Sequence, residues 1–123
     1  MKKEYTVYNK NKEIFTLYKN IEKESVIEMK DLVEYREGQV VSKTLVQNSK
    51  VSVTVFSFDK DEEISTHASD GDALVTVLEG KGRFTVGGKP YVLDAGKSIV
   101  MPAGIPHAVY GEEKFKMLLV VSF

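Results

Sequence analysis

From Asp31 to the last residue the sequence is a train of short runs rich in valine, threonine and aromatic residues, each closed by glycine, proline or a charged turn. The runs occupy residues 39–47, 51–58, 64–67, 73–78, 82–86, 91–93, 98–101, 107–110 and 115–123. Each has strand length, and helical periodicity is absent between them. A chain of this kind favours an antiparallel sandwich or barrel over an α/β fold, in which strands alternate with helices.

Several joints carry their own chemistry. Val86-Gly87-Gly88-Lys89 is a hairpin signal, because turns between twisted strands need positive φ and glycine supplies it at little steric cost. Pro102 and Pro106 bracket Ala103-Gly104-Ile105, a stiff loop with two backbone donors missing and φ preset twice. Such a loop aims the residue next to it in the chain, and that residue is His107.

The segment before the strands differs in character. Its apolar residues Ile14, Leu17, Tyr18 and Ile21 recur at i, i+3, i+4 and i+7, a spacing that predicts one short amphipathic helix. Residues 1–30 are therefore set apart as an extension, either packed on the barrel formed by 31–123 or docked on a partner subunit. One core is expected from 123 residues. The 17 basic and 18 acidic residues are interleaved, so no long-range field recruits nucleic acid or an anionic membrane, and small molecules or other proteins are the expected partners. The absence of cysteine excludes disulfide frameworks, thiolate zinc sites and a cysteine nucleophile. No stretch approaches the roughly 20 apolar residues of a membrane helix, and a cytoplasmic protein is expected.

At Gly96, Pro102, Gly104 and His107 the chain resembles the second motif of the cupin family, G-x5-P-x-G-x2-H-x3-N, in register except for Gly111 where that motif ends in asparagine. His67 and Gly80 fit the ends of the family's first motif, G-x5-H-x-H-x3–4-E-x6-G. Its middle is altered: Ser69 takes the place of the second histidine, Ala73 that of the glutamate, and Asp61 that of the opening glycine. The resemblance runs from about Val51 to Phe123 and is closest to small single-domain bacterial members. It implies an all-β fold, a double-stranded β-helix or jelly-roll barrel, and a homodimer. It also implies that His67 and His107, the only histidines in the chain, face one cavity at metal-binding positions.

Two readings of that pair stay open. Imidazole suits iron, manganese, zinc or nickel, but a stable site takes three or four protein ligands, and here the third and fourth are a serine and an alanine. Asp72 is a weaker substitute ligand, since strand alternation points it away from Ala73's face unless a bulge intervenes. Asp70 is expected to bond local amides in its turn, and nothing places Tyr91, Tyr110 or Glu63 at the cavity. The alternative is a metal-free pocket in which His67 and His107 are hydrogen-bonding groups, walled by Ser69, Met101 and Phe56, and suited to a small, partly hydrophobic ligand. Histidine titrates near neutrality and can move protons, but no nucleophile with an orienting partner accompanies it.

Other signals are incomplete. Ala95-Gly96-Lys97-Ser98 lacks the upstream glycine of a phosphate loop, Asp59 to Glu63 lack the glycine of a calcium loop, and Gly80-x-Gly82 is no dinucleotide fingerprint. The expectation is a small-molecule-binding barrel with an incomplete metal site. A metal-dependent dioxygenase or isomerase and a purely structural or interaction protein are the alternatives.

Overall fold

A computed structural model describes residues 6–8 and 14–123, with side chains from residue 17 onward. All nine strands expected from the sequence are present: β3 (Val40–Gln47), β4 (Val51–Phe58), β5 (Glu63–His67), β6 (Asp72–Glu79), β7 (Lys81–Val86), β8 (Lys89–Asp94), β9 (Ser98–Met101), β10 (His107–Gly111) and β11 (Phe115–Ser122). Before them, β1 (Thr6–Tyr8) and β2 (Ile14–Thr16) pair as a two-stranded sheet of their own. The nine strands form two antiparallel sheets, ordered β3-β4-β11-β6-β9 and β5-β10-β7-β8.

Alternation along the strands divides the apolar residues between two layers. Phe115, Met117, Leu119 and Val121 of β11 turn inward and meet Phe58 and Phe56 of β4 and Val77, Val75 and Ala73 of β6 across the ladder. Their neighbours Leu118 and Val120 turn outward with Val53 and Val55 into a second apolar cluster. Both faces of the five-stranded sheet are thus covered at its centre.

The outer cover is the N-terminal extension, and its described residues 14–28 are not helical. Residues 14–16 are a strand, and Leu17 to Lys19 run without regular structure onto β3. Between Thr44 and Val46 the register of β3 against β4 shifts, and the consecutive residues Leu45 and Val46 are both buried in the outer cluster. Lys19 N–H donates to the Leu45 carbonyl (2.9 Å) and the Asn20 side-chain amide to that of Thr44 (2.9 Å). Those bonds, together with Asn20 at φ +59°, are incompatible with a helix continuing through this segment. The apolar spacing that predicts a helix serves instead to lay Ile21 on the sheet beside Met29, Leu32 and Val33. The one helical element among the described residues is a single 3-10 turn, Met29–Leu32. Lys116 Nζ donates to the Lys30 carbonyl (2.7 Å), Ser57 Oγ to that of Glu34 (2.8 Å), and Tyr35 OH to Glu79 (2.6 Å), so the buried polar groups of the outer face clasp this segment.

The interior is filled unevenly along the barrel axis. One end holds an aromatic plug: Phe58 stacks on Phe115 at 4.6 Å between centroids and Phe84 meets Phe115 edge-on at 6.0 Å. Gly82 makes the plug possible, since a Cβ there would lie 2.8 Å from the Phe115 ring. Toward the other end the inward residues shrink to Ala73, Val109 and Val121, and a hollow opens.

Candidate functional site

The hollow is a cavity of about 420 Å³ at the mouth of the barrel, between the starts of β6 and β10 and the ends of β5, β9 and β11. Met101, Val109, Met117, Leu119 and Val121 make it largely apolar, and His67, Ser69, Asp70 and His107 are its polar wall.

His107 reaches this wall because the loop before it is pinned. Ile105 N–H closes a turn on the Pro102 carbonyl (3.2 Å) with Gly104 at φ +76°, a conformation that favours glycine. Gly104 N–H donates to the Ser69 carbonyl (2.8 Å), Ala103 N–H to the Asp72 carboxylate (2.8 Å), and Gly87 N–H to the Pro106 carbonyl (2.8 Å). Three anchors on three elements leave His107 little freedom. It enters β10 at 4% exposure, flanked by His67 of β5 and Val86 of β7.

His67 faces the same cavity because β5 is irregular. His107 pairs with His67 and Val109 with Ile64, so three steps on β5 oppose two on β10. In a regular strand Ile64 and His67 would point to opposite sides; the extra residue turns both inward. The two rings meet edge to face with centroids 4.4 Å apart. Each ring's Nδ1 lies against a backbone carbonyl two residues upstream, Ser65 at 2.9 Å for His67 and Ile105 at 3.2 Å for His107. A carbonyl can only accept, so in the neutral rings Nδ1 carries the hydrogen and Nε2 keeps its lone pair. Burial pushes His107 below the ordinary histidine pKa, the Ile105 carbonyl opposes that shift, and His67 adds to it.

The other residues expected at the site separate. Ser69 and Met101 line the cavity, and Ser69 does so from the loop after β5, where its Oγ accepts from Gly71 N–H (3.1 Å). Ala73 lines it too, at 2% exposure. Phe56 does not: it lies beside Phe58, 6.1 Å between centroids, on the plugged side of the barrel. Asp72 is exposed and its carboxylate is spent on Ala103 N–H, so it is a loop anchor and no substitute ligand. Tyr110 donates to Asp61 (2.6 Å) under the Arg83 guanidinium, away from the cavity. Asp70, expected to bond its own turn, lines the cavity, while Ser69 Oγ takes the turn's Gly71 amide.

The donor set does not fit a metal held by protein ligands alone. Among the described residues no group of three or more histidines and carboxylates converges on one point. The two free Nε2 atoms supply half a first shell, Ala73 has no donor, and Asp72 is turned away. A larger apolar hollow of about 690 Å³ lies outside the barrel, between Leu17, Ile21 and Met29 and the outer sheet face. Among the described residues on its walls, Asn48 and the Tyr18 hydroxyl are the polar groups.

Comparison with known proteins agrees with this architecture. The Cupin_2 family model, described as a cupin domain, matches residues 54–122. A crystal structure of a conserved protein of unknown function from Streptococcus pyogenes is 46% identical and covers 86% of this chain and 93% of its own, with a TM-score of 0.84. A cupin 2 conserved barrel domain protein from Leptotrichia buccalis is 48% identical over 76% of this chain and 46% of its own, with a TM-score of 0.75. Among curated proteins, the HTH-type transcriptional regulator PuuR of Escherichia coli (strain K12) is 34% identical over 92 residues, 71% of this chain. The chain spans about half the length of that relative (49%).

Proposed function

The chain belongs to the cupin family, and from that premise we propose that it is a small-molecule-binding barrel in which His67 and His107 hold a ligand by hydrogen bonds. The observation that carries this reading is the pair of imidazoles 4.4 Å apart on a largely apolar cavity in which, among the described residues, no third metal ligand converges with them. Two Nε2 lone pairs orient a ligand's donors, and Met101, Met117 and Leu119 receive its apolar part. No covalent step is assigned, because no nucleophile lies beside either imidazole with a group to orient it.

The likeness to an HTH-type transcriptional regulator favours a sensing role, with the barrel as the part that meets the ligand. We place the protein in the cytoplasm as a homodimer. The edge strands β3 and β9 and the apolar side chains Leu74 and Val100 on the outer sheet face are the surface that supports the dimer.

The test is metal analysis of protein purified without affinity nickel, alongside a His67→Ala, His107→Ala double variant. The expected result is metal well below one equivalent in both. Near-stoichiometric iron, manganese, zinc or nickel that disappears in the double variant would overturn the reading in favour of a metal-dependent cupin enzyme of the dioxygenase or isomerase type. A crystal structure with the cavity closed by side chains would favour a structural role instead.

A further inference from the structure

We propose that the cavity selects a small cation, an aliphatic molecule ending in a primary ammonium group, and refuses the corresponding carboxylate. This rests on the cavity being a ligand site and adds the ligand's charge and donor pattern.

The walls are one-sided in their chemistry. Both Nδ1 atoms are committed to backbone carbonyls, so the imidazoles offer the cavity two acceptors and no donor while neutral. Among the described residues Asp70 is the one charged side chain on the wall, and no lysine or arginine lines it. The Ser69 hydroxyl oxygen already accepts from Gly71 N–H. With the ring centroids 4.4 Å apart, one donor-rich group can address both histidines from a single position. An ammonium carries three donors: the two Nε2 atoms can accept from it, and Asp70, elsewhere on the same wall, favours its positive charge. Its alkyl chain would then lie on Met101, Met117 and Leu119, whose thioethers and methyls adapt to a slender chain.

An anion meets the opposite situation. A carboxylate placed there would face two lone pairs and a like charge, with no cationic side chain on the walls to replace the water it gives up. Burial of His107 lowers its pKa and so favours the neutral, acceptor form of the ring, in keeping with the geometry.

The test uses three probes of the same shape, n-butylammonium chloride, n-butanol and sodium butyrate, titrated at pH 7.5 into the full chain after chelator treatment. Imidazole ¹⁵N shifts and the melting temperature are the readouts. Butylammonium should shift the Nε2 signals saturably and raise the melting temperature, and butyrate should do neither. Asp70→Asn, an exposed substitution, and His67→Ala should each weaken butylammonium binding at least tenfold. Butanol or butyrate binding as tightly as butylammonium would overturn the charge selection while leaving a ligand pocket in place. So would butylammonium binding that is indifferent to Asp70→Asn. If none of the three perturbs the imidazoles, the cation proposal fails and the pocket reading fails with it.

Discussion

His67 and His107 are cross-strand partners on β5 and β10, and each directs Nδ1 at the carbonyl two residues upstream of itself. The repetition fixes the same tautomer twice, with hydrogen on Nδ1 and both lone pairs toward the cavity. Because the chain holds only these two histidines, long-range ¹H–¹⁵N imidazole spectra contain two ring systems and no others. In the neutral form both should show a protonated Nδ1 and an unprotonated Nε2. A dominant Nε2–H form in either ring would remove one of the two acceptors on which the site depends.

The burial of His107 makes fold stability depend on pH in a defined direction. Its pKa is lowered in the folded protein, first by desolvation and further by His67, against the opposing carbonyl of Ile105. The unfolded chain therefore takes up a proton near pH 6.5 while the folded chain still resists it. The stabilisation is complete above the unfolded value and is lost as pH falls through the folded value, below which the loss levels off. Urea denaturation at pH 7.5 and 5.5 should show a larger drop for the parent protein than for His107→Asn. An NMR midpoint for His107 at or above 6.5 would contradict the assignment.

Gly111 departs from the asparagine that closes the family's second motif, and the backbone explains the departure. Its N–H donates to the Glu62 carbonyl (2.9 Å), its carbonyl accepts from Asp61 N–H (2.8 Å), and a Cβ there would lie 2.7 Å from the Asp59 carbonyl oxygen. The turn after β4 is folded against this residue and leaves no space for a side chain. Gly111→Asn should therefore cost about 2 kcal/mol in chemical denaturation, the scale of an overpacked core position. A loss of less than half that would mean that the 59–62 turn yields easily.

Most of the barrel is legible in the sequence because its punctuation is chemical: glycines, prolines and charged turns close the runs, and all nine expected strands are present. The N-terminal extension misleads because a segment draped over a sheet also places apolar residues three and four apart. What sets it is the pair of bonds from Lys19 and Asn20 to β3, which no local pattern encodes. Phe56 falls outside the cavity expected for it because alternation reveals which face a residue takes, and not how far along the barrel it lies. The motif singles out His67, but its inward orientation depends on the irregularity in β5, a property of pairing between strands. Asp70 is discoverable from its position beside Ser69, but its turn offers it an ordinary backbone role that hides the other.

Ser69 and Ala73 line the same cavity as the two histidines, at the positions where the family's first motif carries a histidine and a glutamate. If the lost ligands are all that separates this pocket from a metal centre, Ser69→His with Ala73→Glu should restore one. Ala73 is 2% exposed, so without metal the new carboxylate is desolvated, and the double variant should melt below the parent. Four converging ligands should then bind one equivalent of manganese, iron or nickel, and binding to the folded form alone raises the melting temperature. Chelator should reverse the gain, and the parent protein should show no comparable stoichiometric response. A double variant that folds but takes up no metal would mean that residues 69 and 73 do not converge with the two Nε2 atoms on a common point. The incomplete donor set would then reflect a differently shaped pocket rather than two substitutions in an otherwise intact one.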